Sequence, residues 1–568
     1  MLASWGRWVY RFRWWVLIVS VLSLGPSVWL ISQGGHFDSA FVPANTEAGR
    51  ALDLTKRELP RTLPSFGLIF RNPSLRVTDT AFQAEVERAV TTLRNDPHVA
   101  RVRTAYDADV ADSRSISHDG RSTIATVELK DDSADDTALA MDIYPMLLAT
   151  VQSETLEVIS FGAVPRNHDF TVVAERDIKR AELIVLPLVE LLLVLVFGSV
   201  LAALLPLAVG VLAVTGGLAG TLALAHITPV LVFATSIVFM VGLGVAIDYS
   251  LFIVSRFREE AHSHPIPEAL ARTMETTGRA ILFSGVTVAI GLLGMLFLGL
   301  GHLSSMGLAG TIVVTLAVLY DMTFLPALLA IFGQKVNALS LPFMNIGKPV
   351  HGSGFWHRLA TMVMAHPWGV LLPVTVFLLS LGMPFLHIRL SPNDVTGLPV
   401  TAESRLGQEL LHREFPEVDT NPIVVVVHYA DRSPPTAEHV GQIFDLSHWL
   451  ARLPTITRVD SVVDLDSTIS RSAYQQLLTL PKTQLPPGVL PAMKQTVGND
   501  IVMLVAQTSL SAGSDAARSL VRTIRRSHPS VDGELMVTGE SAFYLDFIET
   551  MKRNSPVAIG LIVLVTFL

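Results

Sequence analysis

The chain has 568 residues, half of them hydrophobic and 16% charged, with a mean hydropathy of +0.47. A chain this apolar is a polytopic membrane protein rather than a soluble enzyme. Its formal charge of −8 excludes a general nucleic-acid binder, and the lack of cysteine excludes disulfides, thiolate metal sites and cysteine nucleophiles.

Arg7, Arg11 and Arg13 precede an apolar run from Trp14 to Ile31. The run is too long for the hydrophobic region of a cleaved signal and lacks a small-x-small cleavage pattern. Residues 1–32 are therefore predicted to form a retained first spanning helix, with Trp5, Trp8, Trp14 and Trp15 as an interfacial belt. Residues 33–180 are polar. Strand-like runs at Ser65–Phe70, Arg121–Leu129 and Thr155–Phe161 alternate with helical patterns at Asp79–Arg94 and Asp136–Gln152. That alternation predicts an α/β, ferredoxin-like βαβ domain. The acidic run Asp131-Asp132-Ser-Ala-Asp135-Asp136 reads as a solvated loop rather than a metal site.

Residues 181–333 hold five further spans, at about Leu183–Phe197, Leu201–Leu224, Val230–Val254, Ala280–Leu300 and Met306–Phe332. The first is short as counted, so its helix is predicted to begin earlier, near Asp177. Short links at 198–199 and 226–229 make these helices antiparallel neighbours. Positive stretches follow at 256–279 (Arg256, Arg258, Arg272, Arg279) and in a linker at 334–368 (Lys335, Lys348, Arg358, with no Asp or Glu). With Arg7–Arg13 they fall on one side if spans alternate, and the positive-inside rule makes that side cytoplasmic. Both large polar segments are then extracytoplasmic. A seventh span occupies 369–386. A second polar segment, 387–553, repeats the alternation at Pro422–His428, Ala437–Leu453, Ile501–Gln507, Asp515–Arg526 and Glu534–Thr538. Residues 554–568 begin an eighth apolar run whose twelve residues from Val557 are too few to cross a bilayer.

The two halves resemble one another. Pro43–Pro60 aligns without gaps to Pro399–Pro416 at an offset of 356 (399 − 43), which Asp38 and Asp394 share; Gly162 with Asp169-Phe170 matches Gly539 with Asp546-Phe547 at an offset of 377 (539 − 162). Weak internal symmetry of this kind is a transporter signature. Carried forward, Leu568 corresponds to Leu191, so the second copies of spans three to six are expected to be missing and the architecture to be C-terminally incomplete.

The organising stretch is Gly242 to Arg258, reached through the apolar run from Val230. That run, about 25 residues to Val254, is long enough to cross a ~30 Å hydrocarbon layer. Asp248 therefore sits within a span, where a carboxylate costs ~2.5–3.5 kcal/mol to insert. It is read as a buried proton- or ion-responsive site, against a structural carboxylate bonded between helices. Tyr249 is either a hydrogen-bond donor to a facing carboxylate or a packed interfacial tyrosine. Gly242 and Gly244 read as close-packing positions; lying in an apolar span, they are not a dinucleotide loop. Asp321 in the sixth span either joins a relay with Asp248 or is structural. Glu190 in the second span lines an access crevice or snorkels. Ser284 and Thr287 are candidates to support Asp248 across helices, although hydroxyls in helices usually bond their own backbone. His262 and His264 are loop residues without the further ligands a metal needs. No metal, cofactor, catalytic constellation or Walker A sequence is expected.

Phe197–Pro206, the Gly242–Arg258 run, Thr277–Ile290 and the Leu325-Pro-Ala-Leu-Leu329 close of the sixth span resemble the MMPL branch of the resistance–nodulation–division (RND) transporter superfamily. The resemblance implies RND-type porter domains and proton-motive-force-driven export of lipids or other hydrophobic molecules, usually with twelve spans. It also implies a membrane relay of two Asp-Tyr dipeptides; Asp248 and Tyr249 match the first, and the second would lie beyond residue 568. The expected partners are the membrane and a lipid or hydrophobic substrate, with a homo-oligomer or accessory membrane proteins left open. A non-transporting membrane scaffold and a sterol- or protein-translocation-associated relative are the alternative readings.

Overall fold

The computed structural model describes residues 2–34, 45–60, 63–107, 113–130, 136–337, 355–387, 395–429, 436–466, 468–481, 484–486 and 488–567. Asp38, Pro43, the acidic run at 131–135, Lys348, Asp394 and Leu568 lie outside the described residues.

The chain opens with three short helices end to end, α1 (Leu2–Arg11), α2 (Arg13–Leu22) and α3 (Leu24–Ser32), and then α4 (Glu47–Glu58). A first sheet domain follows: β1 (Ser65–Arg71), α5 (Thr80–Arg94), β2 (Val99–Thr104), β3 (Ser122–Leu129), α6 (Asp136–Thr150) and β4 (Glu157–Phe161). Its strands lie in the order β2-β3-β1-β4, all antiparallel. The helical block comprises α7 (Ala163–Phe197), α8 (Val200–Ala225), α9 (Phe233–Ser263), α10 (Ile266–Thr273), α11 (Arg279–Leu293), α12 (Gly301–Met322) and α13 (Phe324–Phe332), with α14 (Phe355–Ala365) and α15 (Pro367–Gly382) after it. The second sheet domain runs α16 (Glu403–Glu414), β5 (Asn421–His428), α17 (Ala437–Ala451), β6 (Ile456–Asp460), α18 (Arg471–Leu477), α19 (Val489–Thr496), β7 (Ile501–Thr508), α20 (Asp515–Ser527), β8 (Glu534–Thr538) and α21 (Glu540–Phe567). Its order, β6-β7-β5-β8, copies the first.

A βαβ alternation is the expectation; the structure has two four-stranded antiparallel sheets, each built in the chain order βαββαβ. The expected strands and helices are present within a few residues. Strands β2 and β6 were not anticipated, because their alternating sequences VARVRT and ITRVD carry too little apolar character to read as strands.

Strands β1 and β5 are apolar on both faces, and the reason is an exchange of helices. Phe66, Leu68 and Phe70 face the core under α5 and α6, whereas Ile69 faces Leu410 and Leu411 of α16 and Phe415 just after it, all from the second half. Likewise Val425 faces its own domain while Val426 packs against Ala51 of α4 and Leu59 at its end, both from the first half. The bonds that hold the exchanged helices repeat at the two offsets. Ser160 N donates to Glu403 (3.0 Å) and Val537 N to Glu47 (2.9 Å); Ser404 N donates to Asp169 (3.0 Å) and Ala48 N to Asp546 (2.9 Å). Gly407 brings α16 so near β4 that a Cβ there would lie 2.0 Å from the Ser160 carbonyl oxygen. Gly162 and Gly539 share positive φ values of 109° and 107°, starting α7 and α21 by the same left-handed turn.

Among the described residues, six helical stretches are long and apolar enough to cross a membrane: Arg13–Ser32, Val200–Ala225, Phe233–Ser263, Ile266–Leu298, Leu303–Val336 and Pro367–Phe385. The apolar half of α7 is not among them. Rather than starting near Asp177, α7 runs unbroken for 35 residues from the sheet domain to Phe197. α8, α9 and α12 form the core of the block, with α2 against α13 and α3 against α8. Ser199 joins its two ends by capping α8 at Ala202 N (3.4 Å) and donating to the Val336 carbonyl (2.9 Å).

Candidate functional site

From Phe233 to Val254 α9 is apolar on every side but for Asp248 and a few hydroxyls, so this stretch of sequence carries no preferred face. Packing supplies one. Gly242, Leu243, Ala246, Ile247, Ser250, Ile253, Val254 and Phe257 form its buried seam, while Met240, Gly244, Asp248 and Phe252 form a stripe on the opposite, open side. Asp248 is therefore exposed, contrary to the buried carboxylate expected of it. No hydrogen bond or ion pair reaches it among the described residues. The reason is helical phase: Asp248 lies one residue off a seam that passes through Ile247 and Ser250. Gly242 behaves as predicted, since a Cβ there would lie 2.3 Å from Val313 Cγ2 of α12. Gly244 does not, because nothing lies within 4 Å of its Cβ position and no helix packs there.

The desolvated carboxyl of this region is Asp321, near the end of α12 and 0% exposed. Its Oδ1 accepts a 2.5 Å hydrogen bond from Ser250 Oγ, and Oδ2 has no partner. Ser250, also fully buried, had no signal in the sequence to set it apart from other span serines. Tyr249 and Ser284 Oγ of α11 share a 3.1 Å hydrogen bond, so Ser284 supports Tyr249 rather than Asp248. Thr287 donates to the Phe283 carbonyl of its own helix (2.9 Å) and supports neither. The triplet 248–250 thus sends its side chains three ways: open face, α11 and α12. Glu190 in α7 has both carboxyl oxygens buried without a partner. Arg258 closes the lower end by donating to the Phe197 carbonyl (2.8 Å).

A second feature lies between the sheet domains, a cavity of about 600 Å³. Its wall includes Arg166 of α7, Gln408 and His412 of α16, Asp419, and Glu540 and Tyr544 of α21. Arg166 approaches Glu540 at 3.5 Å, and Tyr544 donates to Glu540 (2.6 Å). Asp419 accepts from Gln408 (2.7 Å) and lies 2.9 Å from His412 Nδ1. The volume suits a small-molecule group, and mixed polar and apolar walls suit an amphiphile. α7 and α21 both begin at this cavity and run from it into apolar sequence, and Asn554 of α21 bonds the Leu298 carbonyl at the end of the α11 stretch (2.9 Å).

The MMPL family model matches residues 40–370. The chain is 30% identical to the trehalose monomycolate exporter MmpL3 of Mycolicibacterium smegmatis over all of its own length and 57% of that protein's. It is 32% identical to the protein of the same name from Mycobacterium tuberculosis H37Rv, over 78% of this chain and 50% of the relative. It is 29% identical to the mycolic acid-containing lipids exporter MmpL11 of Mycolicibacterium smegmatis, over 70% and 39%. The chain spans about half the length of the curated relatives it matches.

Proposed function

Because the chain belongs to the MMPL family of the RND superfamily, we propose that it is the proton-coupled part of an exporter that moves a lipid or other amphiphile across the cytoplasmic membrane. The observation that carries this reading is the cavity of about 600 Å³ set over two helices that leave it for apolar sequence. A molecule with a polar head and an apolar tail is served by both parts. The names of the relatives support a glycolipid with a long acyl chain as the class.

In this reading the sheet domains lie outside the membrane, Arg256 to Arg279 lie inside, and Asp248 and Tyr249 form the relay. Asp248 takes a proton from outside and gives it up inside. Each proton contributes ~2.3 kcal/mol per 100 mV of membrane potential, enough to shift a two-state equilibrium about fifty-fold at ~1.36 kcal/mol per factor of ten. Tyr249, bonded to Ser284, links the α9 charge state to the position of α11. α21, joined to the end of the α11 stretch through Asn554, carries that movement to the cavity wall at Glu540.

The test uses the full-length protein in proteoliposomes with trehalose monomycolate as the probe. An imposed proton gradient is expected to drive its movement, and a protonophore to stop it. Movement that ignores the gradient overturns the reading.

A further inference from the structure

The relay proposed above uses Asp248, yet the buried carboxyl is on another helix. Asp321 has no exposed surface, one oxygen on the Ser250 hydroxyl at 2.5 Å and the other with no partner. Residues at helical spacing from it, Ala317, Val318, Phe324 and Leu325, are all buried and apolar. The titratable neighbours in sequence and across the contact are Tyr320 and Tyr249, whose hydroxyls bond Ser23 and Ser284. The cations of α9, the helix that carries Ser250, are engaged elsewhere: Arg256 with Glu259 and Glu260, and Arg258 with the Phe197 carbonyl. Arg279 stacks its guanidinium over Phe283, 5.7 Å from the ring centre. Among the described residues no cation pairs with Asp321. An isolated ionised carboxylate in such a place costs far more than a protonated one, and an ionisable residue inside a span is a functional hypothesis by default.

The position also suits movement. Asp321 lies one residue before the end of α12, where Thr323 breaks the helix with φ −125° and ψ −67°, and Trp5 of α1 donates to the Met322 carbonyl (2.8 Å). Its single hydrogen bond joins α12 to Ser250, two residues beyond Asp248 on α9.

We propose that Asp321 is a second proton-carrying residue of the transport cycle, held in its loaded state by Ser250. In the loaded state a proton is bound to Oδ2 while the Ser250 hydroxyl donates to Oδ1. When α12 shifts against α9 and admits water, the Oδ2–H bond breaks, the proton passes to that water, and the carboxylate left behind is solvated by water and Ser250. Reloading is the reverse. No other bond changes. Asp248 on the open face and Asp321 in the core then mark two stations, joined through α9, on which Ser250 stands two residues from Asp248. This inference rests on the proton-coupled reading above.

The experiment separates the two. The full-length protein in phosphatidylcholine vesicles is compared by infrared spectroscopy at neutral pH, where ordinary carboxyls with pKa about 4 are ionised. The wild type is expected to show the C=O band of a protonated carboxyl. Asp321→Asn removes one component of it, distinct from any that the buried Glu190 carboxyl supplies, Asp248→Asn keeps that component, and Ser250→Ala shifts it by deleting its hydrogen bond. Asp321→Asn is also expected to lose gradient-driven movement of trehalose monomycolate. A spectrum unchanged by Asp321→Asn, or export at the wild-type rate in that variant, overturns the proposal. If Asp321→Asn does not fold, Ser250→Ala decides, since an unmoved band overturns it equally. Wild-type export in Asp248→Asn instead sinks the relay reading, while the infrared band still reports whether Asp321 holds a proton.

Discussion

Side chains of one type acquire different chemistry here from burial alone. Tyr106 in the first sheet domain donates to the Val77 carbonyl (2.9 Å), and burial pushes its phenol up to about 12. Tyr144, more deeply buried against Ser160, is pushed up further. The folded state favours the neutral phenol, so this contribution is whole below the unfolded value of about 10 and is lost as pH rises through about 12. In an alkaline titration of tyrosinate absorbance, Tyr106→Phe is expected to remove amplitude near the top of the curve. Amplitude lost near pH 10 instead would place Tyr106 in water. Surroundings also divide Asp248 from Asp321, the first exposed and the second fully buried. Their sequence contexts are alike, a lone acid among apolar residues, so the sequence located both in spans. It did not say which was buried, because a helix apolar all round hides its own phase until its neighbours are known.

Helices and strands were the most legible level. The strand runs of both sheets read correctly because their apolar stretches are bounded by polar loops, and β2 and β6 escaped because charge alternates along them. The helix exchange between halves left one trace, the two-faced apolar character of β1 and β5, whose meaning needs the partner helices. Two predictions belong here. Gly242→Ala places a methyl 2.3 Å from Val313, whereas Gly244→Ala meets nothing. Helix propensity acts equally on both, so thermal unfolding in detergent is expected to show the first less stable than the second by about 1–3 kcal/mol, the usual cost of overpacking. Equal stability would mean that α9 and α12 are not in contact at Val313. The second concerns Arg525, which bonds Asp546 (2.6 Å) and lies 2.8 Å from Glu47 of the exchanged α4. The equivalent site at Asp169 and Glu403 has Leu148 where Arg525 stands, at the offset of 377 (525 − 148). Arg525→Leu leaves two carboxylates facing without their cation and is expected to cost about 3–5 kcal/mol, read as a lower melting temperature. No change would show that α4 is held by apolar contact alone.

At the scale of the whole molecule, α7 and α21 run from the cavity between the two exchanged domains toward the helical block. Filling the cavity tests that join without touching the membrane residues. Ser511 stands exposed on the cavity wall, and Ser511→Trp is expected to block movement of trehalose monomycolate while leaving folding intact. Undiminished export would show that substrate takes another route. The central claim, that a carboxyl on α9 couples proton entry to export, is tested most directly by gradient-driven export in proteoliposomes of the full-length protein, comparing wild type with Asp248→Asn. The account predicts that the variant folds, binds the probe and no longer exports it; export at the wild-type rate would contradict it.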